Sequence, residues 1–301
     1  MSVVGFTSLT LTDLPQARVL AETWRAAHPG WPLWAVLVDR PPRGFANRAA
    51  FTGFDAVIAV EALGIEHVLG WLFGQERAEA RAAARGAMVC HLLGLGARMV
   101  VYLAPEVAVF HPLASLATRD DGASVLVAPG DARGDGFLAI RNDATGLAFA
   151  EDWAARLRAD PGAALATRAA VVRDPGWNPT ERVLARHPPR FSANGNMRVD
   201  GAPLAFIRFA KPEPTGAAAE LWAWHARRCA ALAEPGLADD WWHFSQFSDG
   251  TPIPPAARCF ARAHPDVLAE FPDPFDCAGD SFRAWLAAQA PALLREADPP
   301  P

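Results

Sequence analysis

The sequence predicts an α/β fold, in which helices flank a sheet of buried strands and a helical extension follows at the C-terminus. Apolar runs at 33–38 and 99–103 are typical of strands buried on both faces. Helical patterns lie between the early runs, at the spacing of a strand–helix–strand unit with parallel strands. Towards the C-terminus, helical patterns follow one another. We therefore divide the chain into an α/β domain over 1–212 and a helical extension over 213–301 packed on it.

The first strand–helix–strand unit lies at the N-terminus. Residues 3–11 alternate apolar and small polar side chains, which predicts a strand. A helix then begins after Asp13, a residue suited to the N-cap position, and a Pro-Gly pair ends it. The run 33–38 forms the second strand, which ends at Asp39.

The remaining elements follow the same two patterns. Further strands are predicted over 56–60, 99–103, 107–110, 124–128, 137–140, 191–199 and 204–209, the last two joined by a turn at 200–201. Further helices are predicted over 76–95, 146–159, 217–232, 254–271 and 281–294. Gly86 falls in the middle of the helix over 76–95 and weakens it.

Composition and charge exclude several classes of protein. Hydrophobic residues make up 51% of the chain and charged residues 20%, which is typical of a folded globular protein and excludes global disorder. The net charge of −5 gives no general attraction for nucleic acid, so we expect no nucleic-acid partner. The four cysteines form no Cys-x-x-Cys pair, which excludes the usual zinc and redox motifs.

The sequence also predicts a cytoplasmic protein. The first residues lack the basic and apolar regions of a signal peptide. No apolar run is long enough to span a bilayer, so we expect no transmembrane segment. Unpaired thiols fit a reducing compartment.

The most informative stretch is the tip Ala104-Pro105-Glu106, which follows the buried strand over 99–103. In open α/β sheets, ligands bind just beyond the carboxyl ends of the strands, so we expect the functional site here. The eleven tryptophans are a second indication, because flat rings pack on the apolar faces of sugars. The alternative is that these tryptophans fill the core.

The stretch 101–110, with Tyr-Leu-Ala-Pro-Glu inside it, resembles a strand end of bacterial glycosyltransferases of the GT-A fold. That family carries Tyr-Leu-Asp-Pro-Asp-Ile there and is distantly related to the family-8 retaining enzymes. The resemblance covers nearly the whole chain, and its other segments are 6–9, 36–39, 173–178, 201–209, 247–253 and 272–275. It implies a Rossmann-type mixed sheet and transfer of a sugar from a nucleotide-sugar donor to an acceptor.

The resemblance also implies where the donor binds. In this fold, two carboxylates of an Asp-x-Asp motif and often a histidine hold a divalent cation, which neutralises the departing diphosphate. The donor-binding residues that it implies for this chain are Thr7, Asp39, Arg85, Glu106, Asn178, Arg208 and Lys211. It assigns no residue to catalysis.

The chain departs from the family pattern at the expected metal site. Ala104 stands where the family has the first acid, and Arg208 stands where it has the histidine. Glu106 is the only remaining ligand, and alone it holds Mg²⁺ or Mn²⁺ poorly. We therefore expect no conventional metal site and no cofactor, with Mg²⁺ or Mn²⁺ as the disfavoured alternative. An Asp-Gln pair that the family carries before Arg173 is also missing.

Two interpretations remain open. In the first, the chain is a glycosyltransferase without a metal, and Arg208, Arg85 and Lys211 supply fixed positive charges to the diphosphate. In the second, the chain is a catalytically inactive homologue that binds a sugar, a nucleotide or a partner glycosyltransferase, or serves as a scaffold. The joint loss of the acid, the histidine and the Asp-Gln pair fits the second interpretation better than a single substitution would, and the two interpretations stay evenly balanced.

Single residues carry alternatives as well. Asp39 either contacts the base or ribose of the donor or serves as a turn residue. Arg208 either contacts phosphate or forms a salt bridge with Glu106, since the two strand ends should lie close together. Asn178 either reaches a sugar hydroxyl or serves the turn that contains it. Trp177 either forms a platform for a sugar ring or packs in the core.

Overall fold

The computed structural model of this chain describes residues 3–42, 45, 50–119, 122–131, 133–165, 169–191, 197–209, 216–234, 237 and 240–295. Its strands are β1 (Val3–Leu9), β2 (Leu33–Leu37), β3 (Ala56–Ala59), β4 (Met99–Leu103), β5 (Val107–Val109), β6 (Val125–Val127), β7 (Phe137–Arg141), β8 (Ala170–Val171), β9 (Arg190–Phe191), β10 (Met197–Val199), β11 (Ala202–Pro203) and β12 (Phe206–Arg208). Its α-helices are α1 (Leu14–Ala27), α2 (Val68–Phe73), α3 (Arg77–Gly94), α4 (Ser115–Thr118), α5 (Ala144–Ala159), α6 (Glu181–Arg186), α7 (Ala219–Ala231), α8 (Pro255–Ala263), α9 (Pro265–Leu268) and α10 (Phe282–Gln289).

A seven-stranded mixed sheet forms the centre of the fold, in the order β3-β2-β1-β4-β7-β6-β8. β1 pairs in parallel with β2 and with β4, and β2 pairs in parallel with β3. β7 runs antiparallel to β4 and to β6. The chain passes from β1 to β2 on one side, whereas β4 lies on the other side of β1. A topological switch point therefore lies between β1 and β4, and ligands bind beyond the strand ends at such points.

Helices cover both faces of this sheet, and the alternation along β1 shows which helix covers which face. A Cβ atom at Gly5 would lie 2.5 Å from the Trp24 ring, so one face packs directly against α1. Ser8 faces the other way and donates a hydrogen bond from Oγ to the Arg81 carbonyl of α3 at 2.7 Å. α5 packs beside α3. The predicted α/β fold, a mixed sheet flanked by helices, is confirmed.

The long helices agree with the sequence pattern, and the later ones are more broken than predicted. The helices expected over 76–95 and 146–159 are α3 and α5. The helix expected over 254–271 is instead two helices, because Pro265 has no N–H to continue α8 and begins α9. Likewise, α10 ends before Pro291, and a short 3₁₀ helix follows it. The sequence did not predict the short helices α2, α4 and α6.

The strands over 190–208 pair differently from the predicted hairpin. The turn at Asp200-Gly201 is present, and both residues have positive φ, as tight hairpin turns require. It joins β10 to the two-residue β11, not to β12. β12 pairs antiparallel with β5, so Arg208 lies opposite Val107. The segment 192–196 of the predicted strand lies outside the described residues.

The helical extension shares a hydrophobic core with the sheet. Phe73 of α2 packs against three rings from the extension, those of Phe247, Phe275 and Phe282. Arg258 of α8 donates hydrogen bonds to main-chain carbonyls next to α2. The predicted boundary at 212 lies outside the described residues. None of the helices in the described ranges is both long and apolar enough to cross a membrane.

Candidate functional site

A cleft of about 610 Å³ lies beside the carboxyl end of β4, on the face of the sheet that α3 covers. We call it the arginine cleft. Tyr102 of β4 lines it, together with residues from α3, the end of α5, β12 and α8. The charged side chains on its described walls are Arg81, Arg85, Arg133, Arg208, Arg262, Glu79, Asp135 and Asp160. The cleft therefore concentrates guanidinium groups at the edge where the fold places ligands.

Arg85 is buried and held from several sides. Its side chain is 4% exposed and pairs with Asp135 at 2.9 Å. Nε donates to the Ala82 carbonyl at 2.9 Å and Nη1 to the Gly134 carbonyl at 2.9 Å. The guanidinium also lies 5.2 Å from the centre of the Tyr102 ring, which favours a cation. Arg85 is thus a fixed positive charge rather than a mobile surface arginine.

Arg208 and Glu106 form the salt bridge that the sequence offered as an alternative. The antiparallel pairing of β5 and β12 brings the two residues together. Nε and Nη2 of Arg208 both donate to Glu106 Oε1, at 2.9 and 2.8 Å. Burial lowers the pKa of Arg208, but the Glu106 carboxylate, with smaller contributions from Tyr102 and Asp131, raises that pKa above its usual value. Arg208 is therefore a permanent cation.

The loop between β6 and β7 contacts both Arg85 and Arg208. Both oxygens of Asp131 accept backbone N–H groups at 2.8 Å, from residues 135, 136 and 137. A Cβ atom at Gly136 would lie 2.9 Å from Arg208 Cδ, so a larger residue here would displace the arginine side chain. Because the Gly134 carbonyl accepts from Arg85, one loop touches both guanidinium side chains.

Two further arginines of the cleft are also paired with acids. Arg81 pairs with Asp13 at 2.8 Å, just beyond the carboxyl end of β1, and Arg262 pairs with Glu79 at 2.6 Å. Arg133 is exposed, and the described part of the chain gives it no ion pair. The sequence did not single out Arg81 or Arg262. The signal for Arg81 was its spacing of four residues from Arg85 on one helix face.

Asn178 positions Arg208. Its φ of +46° is left-handed, as asparagine tolerates in turns. Its backbone N–H donates to the Phe206 carbonyl at 3.0 Å, and its Oδ1 accepts the Arg208 N–H at 3.0 Å. Trp177 beside it is buried with its ring edge-on to Phe137 and Phe206, so it packs in the core.

Asp39 does not line the arginine cleft and contacts the extension instead. Its carboxylate accepts backbone N–H groups from Leu11 at 3.1 Å, Arg40 at 2.9 Å and His243 at 2.9 Å. Burial raises its pKa from 3.8 to about 6, although these three hydrogen bonds lower it. The carboxylate thus ties the end of β2 to the segment after β1 and to the extension.

Of the predicted donor-binding residues, the structure brings together Arg85, Glu106, Asn178 and Arg208. Thr7 is buried on the α1 face of β1, opposite the cleft, and its hydroxyl has no partner among the described residues. Lys211 lies outside the described residues. A role in donor binding stays a prediction for all seven residues.

Known proteins resemble this chain in structure but not in recognisable sequence. No family model and no curated protein matches the chain. The galactosyltransferase LgtC, solved in complex with donor and acceptor sugar analogues, is 15% identical, with a TM-score of 0.42 over 80% of this chain and 99% of LgtC. Glycosyltransferase GlyE of Streptococcus pneumoniae TIGR4 is 12% identical, with a TM-score of 0.48 over 76% of this chain and 62% of GlyE.

A third similar structure is a glycosyltransferase involved in the glycosylation of the major capsid of PBCV-1. It is 12% identical, with a TM-score of 0.40 over 77% of this chain and 97% of that protein. Likenesses of this strength do not assign the chain to a family.

Proposed function

We propose that this chain is a glycosyltransferase-like protein whose arginine cleft binds the diphosphate of a nucleotide-sugar donor. The observation that carries the proposal is the meeting of Arg81, Arg85 and Arg208 at the switch point of the sheet. Guanidinium groups donate paired hydrogen bonds in a plane, which matches the oxygens of phosphate. The resemblance of the sequence to GT-A glycosyltransferases implies the same class of ligand.

The arrangement suits the chemistry of sugar transfer. When the bond between the sugar and the diphosphate breaks, negative charge builds up on the leaving diphosphate. Arg85 and Arg208 would neutralise that charge from positions already fixed by hydrogen bonds, which is the condition for electrostatic stabilisation of a transition state.

We further propose that the donor binds without Mg²⁺ or Mn²⁺. Ala104 offers no ligand, and the Arg208 guanidinium rests on the Glu106 carboxylate at 2.8 Å. A divalent cation on Glu106 would be repelled by this fixed positive charge, so these residues do not fit one. Among the residues that the structure describes, no three His, Cys, Asp or Glu side chains are grouped to hold a metal.

Substitutions of the Glu106–Arg208 pair test the proposal, because they should change affinity in opposite directions. Arg208→Met removes a charge that holds phosphate, so we expect UDP or GDP to bind about 10- to 100-fold more weakly. Glu106→Gln removes an anion beside the diphosphate, so we expect tighter binding. Isothermal titration in EDTA measures both. Glu22→Gln and Arg228→Met alter an exposed ion pair of 2.5 Å elsewhere and should leave affinity unchanged. Unchanged affinity in Arg208→Met would overturn the proposal.

A thermal-shift screen identifies the donor. UDP-, GDP-, ADP- and CMP-sugars are compared with and without Mn²⁺. We expect one diphosphate sugar to raise the melting temperature in EDTA, with no further rise on adding Mn²⁺ and a smaller rise for the CMP-sugar, which has a single phosphate. The absence of a shift with every donor would count against the proposal.

A specific observation favours the second interpretation, a catalytically inactive homologue that binds a donor or a partner glycosyltransferase. Each of the paired cleft arginines already meets a carboxylate of the chain, which reduces the charge available to a leaving group. This interpretation predicts no sugar transfer from any donor that binds, and a partner recovered from the native cell. Transfer in EDTA that Arg208→Met abolishes would exclude it.

A further inference from the structure

Tyr102 lines the arginine cleft at a fixed position, and the proposed function gives it no role. Its backbone lies in β4, between Phe6 of β1 and Leu138 of β7. Its ring packs against the Phe6 ring, with the two centres 5.3 Å apart, and the Arg85 guanidinium lies 5.2 Å from its centre. The sheet and these two contacts therefore hold the phenol in one place at the wall of the cleft.

The hydroxyl of Tyr102 has no partner in the described chain, yet it is open to the cleft. Tyr102 is 3% exposed, and its hydroxyl forms no hydrogen bond with any residue that the structure describes. It is not one of the unpaired polar atoms that the fold seals from solvent. Since Tyr102 lines the arginine cleft, its small exposed surface opens there. A polar group that is nearly buried and lacks a partner within the chain indicates a partner outside it.

Arg85 carries a second group of this kind. Its Nε and Nη1 donate to the carbonyls of Ala82 and Gly134, and Nη1 also meets Asp135, whereas Nη2 donates to none of the described residues. Like the Tyr102 hydroxyl, Nη2 keeps contact with solvent, although the whole side chain is only 4% exposed. Both residues line the arginine cleft, and the guanidinium packs on the Tyr102 ring. The two unpaired groups therefore belong to the same part of its wall.

The chemistry of these two groups selects an anion. Burial is the largest contribution to a raised pKa of the Tyr102 phenol, and the arginines around it only partly offset that rise. The phenol therefore keeps its proton at neutral pH and can donate, and an arginine N–H can only donate. The described lining has five arginines and three acids, a net charge of +2. A phosphate oxygen accepts from a phenol and a guanidinium together, and hydrogen bonds to a charged oxygen are the stronger kind.

We propose that Tyr102 is a further ligand-binding residue of the arginine cleft, whose hydroxyl donates to a phosphate oxygen that Arg85 Nη2 also contacts. The inference rests on the proposed function and deepens it, because it assigns a phosphate contact to a residue outside the salt bridges of the cleft. The paired arginines share their charge with carboxylates of the chain. The phenol has no competing acceptor among the described residues, so its proton is available to the ligand.

Fluorine NMR tests this contact directly, because Tyr102 is the only tyrosine of the chain. The full chain labelled with 3-fluorotyrosine gives a single resonance, which needs no assignment. UDP and GDP are titrated in EDTA, and uridine and guanosine at the same concentrations are the matched ligands without phosphate. We expect the nucleoside diphosphate that binds to shift the resonance and the nucleosides to leave it in place. A resonance that stays in place at saturating nucleoside diphosphate, or that a nucleoside shifts equally, overturns the inference.

Removal of the hydroxyl alone measures the strength of the contact. Tyr102→Phe keeps the ring against Phe6 and Arg85, and we expect it to bind UDP or GDP at least tenfold more weakly in isothermal titration. Thr118→Val removes a hydroxyl from an exposed position of α4 outside the lining of the cleft and should alter affinity less than twofold. Equal affinity of Tyr102→Phe and wild type overturns the inference.

Stability separates loss of the ligand contact from loss of the fold. Tyr102→Phe breaks no hydrogen bond within the described chain, so we expect a melting temperature equal to or higher than that of wild type together with the weaker binding. If Tyr102→Phe does not fold, the fluorine titration of the labelled wild-type chain decides by itself.

The two proposals fail separately. Binding of UDP or GDP that Arg208→Met weakens and Tyr102→Phe leaves unchanged keeps the proposed function and overturns the role of Tyr102. If neither nucleoside diphosphate binds to the wild-type chain, the proposed function fails, and the role of Tyr102 fails with it.

Discussion

His28, at the end of α1, is buried in a neutral state. Its ring lies 4.3 Å from the centre of the Trp24 ring and is stacked on Trp31 at 4.6 Å. Its Nε2 accepts the Leu113 N–H at 2.7 Å, which requires an unprotonated nitrogen. Burial lowers its pKa from 6.5 to about 4.

This single residue predicts part of the pH dependence of stability. The unfolded chain takes up a proton at His28 near pH 6.5, whereas the folded chain does so only near pH 4. The stability contributed by neutral His28 is therefore complete above pH 6.5 and is lost as the pH falls towards 4. We expect His28→Gln to remove this loss, on the order of 3 kcal/mol over the whole interval.

Urea unfolding at several pH values between about 4 and about 7.5 measures this effect. Glutamine keeps an oxygen that can accept the Leu113 N–H but does not titrate. His264→Gln, at an exposed position, is the matched control and should follow the wild-type curve. If the free energy of unfolding changes with pH in the same way in wild type and in His28→Gln, this histidine does not cause the loss of stability at low pH.

At the residue scale, the sequence predicted neighbours better than it predicted hydrogen-bond partners. The Glu106–Arg208 salt bridge was one of the two alternatives that the sequence offered for Arg208, because the two strand ends were expected to lie close together. The partners of Asp39 were not expected, because Leu11 and His243 lie 28 and 204 positions away and only the folded chain brings them to the end of β2. A carboxylate at a strand end, which the sequence makes a candidate for ligand binding, thus accepts hydrogen bonds from backbone groups that are distant in the chain.

At the scale of elements, Gly86 determines how closely two helices pack. A Cβ atom at this position of α3 would lie 2.6 Å from Cα of Ala154 in α5. A contact this short with backbone cannot be relieved by turning a side chain. The glycine that weakens α3 as an isolated helix is therefore required by its packing against α5.

We expect Gly86→Ala to lower the free energy of unfolding by about 1–3 kcal/mol, although alanine is the better helix former. Gly94→Ala is the matched control in the same helix, because nothing lies within 4 Å of its Cβ position. Gly94→Ala should be neutral or stabilising by up to about 1 kcal/mol. Urea unfolding of Gly86→Ala and Gly94→Ala measures both free energies of unfolding. Equal stability of the two variants would contradict the packing argument.

The same scale shows where patterns in the sequence stop being informative. The helices α3 and α5 could be predicted from long apolar periodicities. A helix that packs on a core shows this periodicity whatever element it packs against. The pairing of β12 with β5 has no such signal. The turn at 200–201 favours a local hairpin, and β11 forms the second strand of that hairpin. β12 therefore pairs with β5, a strand about a hundred residues earlier in the chain. This pairing, not the hairpin, positions Arg208.

At the scale of the whole molecule, one hydrophobic core reaches from the sheet into the extension. It includes Val4 of β1, Tyr102 of β4 and Phe282 of α10. Arg258 strengthens this junction. It is 3% exposed and donates to the carbonyls of Phe73 and Gln75 at 2.9 and 2.8 Å. Unfolding the extension alone would therefore expose the α2 side of the sheet's core.

We accordingly expect the sheet and the extension to unfold together, and Arg258→Met to lower the free energy of unfolding by about 3–5 kcal/mol. Methionine fills the space of the arginine stem but leaves buried carbonyls unpaired, including that of Phe244, which accepts from Arg258 at 2.6 Å. Urea unfolding followed by far-ultraviolet circular dichroism and by tryptophan fluorescence should give one shared midpoint, lower in the variant. Arg227→Met, on an exposed part of α7, should leave the midpoint in place. Two separate midpoints in the wild type would show instead that the extension is an independent folding unit, and Arg258 would then be a docking contact between two domains.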